Sequence, residues 1–129
     1  KIALTAKSGE WDAIYIRDIN TGSIQKYIIE MNGAFTTAWS PDGNRIAFVG
    51  NNDKQSDIFV FDLNTEEVLQ VTNDIFTDDQ PSWSPDGRYL AFVSDRGEYT
   101  SDKDLPEKNN LAESNKSIVE NLMKEYHLR

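Results

Sequence analysis

Cysteine is absent from this chain of 129 residues, histidine occurs once, at His127, and basic residues are outnumbered 13 to 22 by acidic ones. The first absence excludes disulfides and thiolate metal sites, although it does not choose a redox compartment. The scarcity of histidine, together with the lack of any Gly-x-Ser-x-Gly elbow, leaves a Ser-His-Asp arrangement unsupported. A formal charge of −9 repels phosphate backbones and anionic lipid, so nucleic acid is not an expected partner. No apolar run approaches the roughly 20 residues of a membrane-spanning helix, and no basic-then-apolar leader opens the chain at Lys1. With 38% apolar and 27% charged residues, the chain has enough apolar content to bury a core.

What is present is a repeat. Trp39-Ser40-Pro41-Asp42-Gly43 returns 44 residues later as Trp83-Ser84-Pro85-Asp86-Gly87, and Ala47-Phe48-Val49 returns as Ala91-Phe92-Val93 at the same shift. The same step backwards lays Ile2-Ala3 on Ile46-Ala47, Ile14 on Ile58, Asp18 on Asp62 and Asn20-Thr21 on Asn64-Thr65. A period near 44 lies in the range of four-stranded propeller blades. Composition agrees, because Ile58-Phe59-Val60-Phe61 is β-branched and aromatic throughout. Near-continuous apolar character, rather than strict alternation, suits a sheet covered on both faces.

The Ser-Pro-Asp-Gly element is a turn with a mechanism. Proline presets φ, aspartate suits the second central position and glycine accepts the positive φ that follows. Asn20-Thr21-Gly22 reads as a second tight hairpin, whose counterpart Asn64-Thr65-Glu66 has lost the glycine. Nine strands are predicted: near 2–6, 12–19 and 24–29; near 35–40, 45–50, 57–63 and 67–72; and near 80–84 and 88–94. The fold class is therefore mainly β, a partial propeller of antiparallel four-stranded blades with one whole blade flanked by two incomplete ones.

The stretch from Gln80 to Gly97, with Trp83-Ser84-Pro85-Asp86-Gly87 at its centre, resembles the repeat of the TolB-like propeller family, and Val71-Thr72-Asn73 is similar to its closing strand. The resemblance covers about residues 1–97 and implies a propeller of six or seven blades acting mainly as a protein-binding platform. It also implies a periplasmic or extracellular setting, associated with the Tol-Pal envelope system. Similar repeats gate the hydrolase domain of prolyl oligopeptidase-like serine peptidases, which gives an alternative role as a substrate filter.

A ring of that size needs roughly 260 to 310 residues, so the expectation is a fragment of a larger chain. Self-association of a small propeller arc through its open blade faces is a further alternative. Residues 98–129 form a polar linker and a tail, where Ser117-Ile118-Val119-Glu120 reads as a capping box. Ile118, Leu122 and Tyr126 fall on one face of a short amphipathic helix, expected to dock on a blade.

Trp39 and Trp83 are expected to pack, together with Pro41, Asp42, Gly43, Pro85, Asp86 and Gly87 as the structural motif of the repeat. Aspartates recur in Asn51-Asn52-Asp53, Asn73-Asp74, Asp78-Asp79 and Asp95. Calcium wants six to eight converging oxygens, and no ordered ligand spacing is present, so turn chemistry is the expected role. His127 suits a helix C-terminus. No catalytic, cofactor or metal residue is expected, and the chain is read as non-enzymatic. Asp78 and Asp79, with Arg96 and Tyr99, form the candidate contact set for a protein partner, since Arg and Tyr are enriched at interfaces.

Overall fold

The computed structural model describes residues 1–51 and 55–95. They form nine strands: β1 (Ile2–Ser8), β2 (Trp11–Arg17), β3 (Ile24–Ile29), β4 (Ala34–Trp39), β5 (Arg45–Asn51), β6 (Ser56–Asp62), β7 (Val68–Gln70), β8 (Asp78–Trp83) and β9 (Leu90–Ser94). Every pairing is antiparallel between consecutive strands, giving sheets β1-β2-β3, β4-β5-β6-β7 and β8-β9. The sheet boundaries fall where the repeat register puts them. The expected tail helix lies outside the described residues.

Strand β5 explains why its sequence reads as an unbroken apolar run. Ile46 and Phe48 face the first sheet, where they join Ile14, Ile16 and Ile29 together with Phe61 of β6. Ala47 and Val49 face the third, packing with Ile58, Val60, Val71, Leu90 and Phe92. Both pleats of one strand are therefore buried, each against a different neighbour. Full burial of each large side chain at these seams contributes about 1.5–3 kcal/mol. Gly50, the penultimate residue of the strand, stands where a Cβ would meet the Phe59 ring at 2.6 Å and the Met31 sulfur at 2.7 Å.

Two strands end earlier than composition suggests. β2 stops at Arg17 because the Asp18 carboxylate takes the N–H groups of Asn20 and Thr21, turning the backbone before Ile19. β7 is cut to Val68–Gln70 because the Thr72 hydroxyl, rather than a backbone carbonyl, accepts the N–H of Ile58.

The hairpin comparison yields a direct prediction. Gly22 has φ +74° and its counterpart Glu66 has φ +58°, so a side chain occupies a left-handed position that glycine fills one repeat earlier. Glu66→Gly should raise stability by about 1 kcal/mol, measured by urea unfolding. An unchanged or lowered midpoint would show that the strain is relieved by contacts of the Glu66 side chain.

Candidate functional site

The Trp-Ser-Pro-Asp-Gly turns are closed internally. Ser40 donates its hydroxyl to Asp42 Oδ1 at 2.5 Å and accepts the N–H of Arg45 at 2.9 Å, while Asp42 Oδ1 also accepts the N–H of Asn44. Gly43 N–H returns to the Ser40 carbonyl at 2.9 Å, with φ +74°. The second copy repeats each bond: Ser84 to Asp86 at 2.6 Å, Tyr89 N–H to Ser84 at 2.9 Å, Arg88 N–H to Asp86, and Gly87 N–H to the Ser84 carbonyl. The Ser84 hydroxyl first, then the backbone and side chain of Arg88, hold the Asp86 carboxyl down at about 2. In the first copy the Ser40 hydroxyl and then the Asn44 N–H lower Asp42 likewise. These carboxylates are turn formers, as the motif predicts.

The two tryptophans fill seams between sheets. Trp39 packs on the cluster around Ile14 and Phe48, and Trp83 on the one around Val49 and Phe92. Trp83 Nε1 donates to the Ala38 carbonyl at 3.1 Å, and the Arg45 guanidinium lies 4.8 Å over its ring while donating to the Gly87 carbonyl at 3.1 Å. Arg45 thereby clamps the second sheet to the third. The repeat could not have revealed this clamp, because Lys1 and Tyr89 stand at the equivalent positions.

A second joint recurs one repeat apart with different chemistry. In the first seam Asp12 Oδ2 accepts the N–H groups of Gly33 at 2.6 Å and Ala34 at 2.7 Å, and its other oxygen meets Lys7 at 3.2 Å. Burial pushes the Asp12 carboxyl up, yet the Ala34 N–H, Lys7 and the Gly33 N–H outweigh it and the net shift is downward. In the second seam Ser56 stands in place of Asp12, donating its hydroxyl to the carbonyl of Asp78, the counterpart of Ala34.

That bond corrects the expected role of Asp78. The residue is fully buried between the second and third sheets, so its carboxylate offers no surface to a partner. It faces the equally buried Asp57, whose carboxyl is raised by burial first and then by the charges of Asp78 and Asp74. Asp79 is half-buried and accepts the N–H of Gln80 at 2.6 Å. Arg96 and Tyr99 lie outside the described residues. Among the described residues Asp62 and Asp74 act as turn acceptors, for the N–H groups of Asn64 and Phe76, while Asp95 accepts the N–H of Thr77 across the open ends of β8 and β9. No group of three or more His, Cys, Asp or Glu placed to hold a metal occurs among them.

Strain marks one pair of positions that the sequence does not announce. Thr36 has φ +50° and Gln80, one repeat later, φ +54°. Each sits in an irregularity of the first strand of its sheet, between Phe35 and Ala38 in β4 and between Asp79 and Ser82 in β8. A β-branched residue at positive φ is an outlier, and bulges redirect side chains at sheet edges. Both residues are exposed, beside half-exposed Phe35 and half-buried Asp79. Thr36 and Gln80 are both uncharged polar residues, and the register joins them.

Consecutive antiparallel sheets packed face to face on a period of 44 residues define a stretch of β-propeller. The profile of the TolB beta propeller domain matches residues 1–101, and the chain belongs to that family. TolB from Acinetobacter baumannii is 32% identical with a TM-score of 0.61, over 74% of this chain and 24% of its own. The β-propeller domain of the Trilobed protease from Pyrococcus furiosus, described as having an open velcro topology, is 26% identical with a TM-score of 0.55, over 70% of this chain and 29% of its own. The chain thus spans 24% and 29% of the length of these two relatives. No curated protein matches it.

Proposed function

We propose that this chain contributes part of a non-catalytic, periplasmic propeller platform that binds another protein across the bulged ends of its first strands. The paired strain at Thr36 and Gln80 carries the reading. Backbone strain of about 1–3 kcal/mol per residue persists where surrounding structure holds it, and it concentrates at functional positions. Here it recurs at one register position in the first strands of two successive sheets and leaves Thr36 and Gln80 exposed beside half-exposed Phe35 and half-buried Asp79. The likeness to TolB supports both the binding role and the compartment.

A photo-crosslinking residue placed at Thr36 or Gln80 should capture one discrete protein from periplasmic extract, whereas the same residue at Asn20, in the β2–β3 turn, should not. Equal capture from all three positions, or none from Thr36 and Gln80, would refute the assignment. A second reading, the substrate-gating propeller of a serine peptidase, draws on the likeness to the Pyrococcus furiosus protease propeller. It requires a coding sequence in which a Gly-x-Ser-x-Gly elbow, then Asp and His, follow residue 129.

A further inference from the structure

Asn32-Gly33 is the only asparagine in the chain that is followed by glycine, and it lies in the connection from β3 to β4, between the first and second sheets. The glycine is dictated by the fold. Gly33 has φ +83°, its carbonyl accepts the N–H of Asn51 at 2.9 Å, and an added Cβ would lie 3.0 Å from the Asn51 Cβ. Asparagine is a thermally labile side chain, and a following glycine leaves its carboxamide least hindered toward attack by the next backbone nitrogen. Asn32 is exposed, and Lys7 Nζ donates to its Oδ1 at 2.7 Å, drawing electron density from Cγ. The electrophile is therefore accessible and polarised. The nucleophile is held. Gly33 N–H donates at 2.6 Å to Oδ2 of buried Asp12, which also takes the N–H of Ala34. A carboxylate against this N–H opposes loss of its proton, and a carboxyl lowered by the fold is too weak a base to take the proton itself.

We propose that Asn32-Gly33 is a latent deamidation site, which Asp12 keeps closed while the first seam is intact. When the Asp12 contact is lost, the Gly33 nitrogen gives its proton to solvent base and bonds to Asn32 Cγ. The Cγ–Nδ2 bond breaks, Nδ2 leaves as ammonia with a proton from water, and a succinimide remains. Water then opens the ring at either carbonyl, leaving an aspartyl or isoaspartyl link at position 32. The isoaspartyl link adds a methylene to the backbone ahead of Gly33. The Gly33 and Ala34 N–H groups then no longer line up on Asp12, so the loosening runs one way. Reactive pair and lock occur together: one repeat later Phe76-Thr77 replaces the pair, and Ser56 replaces Asp12. This site stands independently of the partner surface proposed at Thr36 and Gln80.

The test incubates the 129-residue chain in neutral buffer and follows Asn32 by mass spectrometry of tryptic fragment 27–45, with Asn44 in the same fragment as the internal reference. Folded wild type should react at Asn32 far more slowly than the chain unfolded in guanidinium. Asp12→Ala should speed the reaction of the folded chain by roughly 10- to 100-fold, the value of one hydrogen bond to a charged acceptor. Asp12→Asn, which keeps an acceptor oxygen without the charge, should fall between wild type and Asp12→Ala. Phe48→Ala loosens the same seam with Asp12 in place and should speed the reaction less than Asp12→Ala does, which separates the local lock from general unfolding. The proposal is overturned if folded and unfolded wild type react alike, or if Phe48→Ala matches Asp12→Ala. It is also overturned if Asp12→Ala leaves the rate unchanged or lowers it, the latter being the result expected were Asp12 the base.

Discussion

Replacing Phe48 by alanine should lower the unfolding free energy of the chain by about 3–5 kcal/mol, the range for deleting a fully buried ring. Phe48 is completely buried in the seam between the first and second sheets, stacked on Phe59 with centroids 5.6 Å apart and surrounded by Ile14, Ile16, Ile29 and Ile46. Neighbouring β strands cannot collapse into the space without breaking the β4-β5-β6 register, so the cavity term persists. Urea denaturation read by circular dichroism measures the loss. A loss below about 1 kcal/mol would mean that the seam repacks freely, which interiors at ordinary protein density do not do. The equivalent change at Leu4 should cost far less, because Leu4 holds the same register position on an open face.

The second large effect concerns Asp12. Asp12→Ala removes the acceptor for two N–H groups at the start of β4 and leaves both without that partner at the seam, with an expected loss of roughly 2–3 kcal/mol. The carboxyl is lowered in the folded chain, so its stabilisation is complete above its unfolded value near 4 and is lost as the pH falls through the lower folded value. The difference between wild type and variant should accordingly be widest near pH 7 and shrink progressively below about pH 4. Melting temperatures of both chains between pH 7 and pH 3 check this. A gap that stayed constant across that range would show that the side chain acts through packing rather than through its charge.

Much of this architecture was readable from residue order. A repeated turn motif carries its own chemistry, so Trp-Ser-Pro-Asp-Gly located two hairpins, and the period then placed strands that composition alone would have blurred. The apolar run of β5 announced burial on both sides because each pleat needs its own cover. Strand ends were less legible. They depend on whether a side-chain oxygen, as at Asp18 or Thr72, displaces a backbone partner. The contact set was harder still. An aspartate at a loop boundary looks the same in sequence whether it faces solvent or, like Asp78, lies in a seam opposite Asp57. The strained positions Thr36 and Gln80 carry no compositional mark, since a bulge is a property of register between two strands.

The Ser-Asp turns have a consequence for how such a chain can diverge. Each turn closes the same four hydrogen bonds within six residues, and the one bond it takes from the adjoining sheet, Arg45 to the Gly87 carbonyl, is present at the second turn alone among the described residues. A turn whose geometry is fixed by its own residues can be copied along the array with its shape intact, whatever its neighbours add. The joints between sheets are free to vary by comparison: a carboxylate gripping two amides at Asp12, a hydroxyl reaching one carbonyl at Ser56. Invariant local grammar with variable couplings lets each interface drift toward its own pH response or rigidity while the repeat stays recognisable.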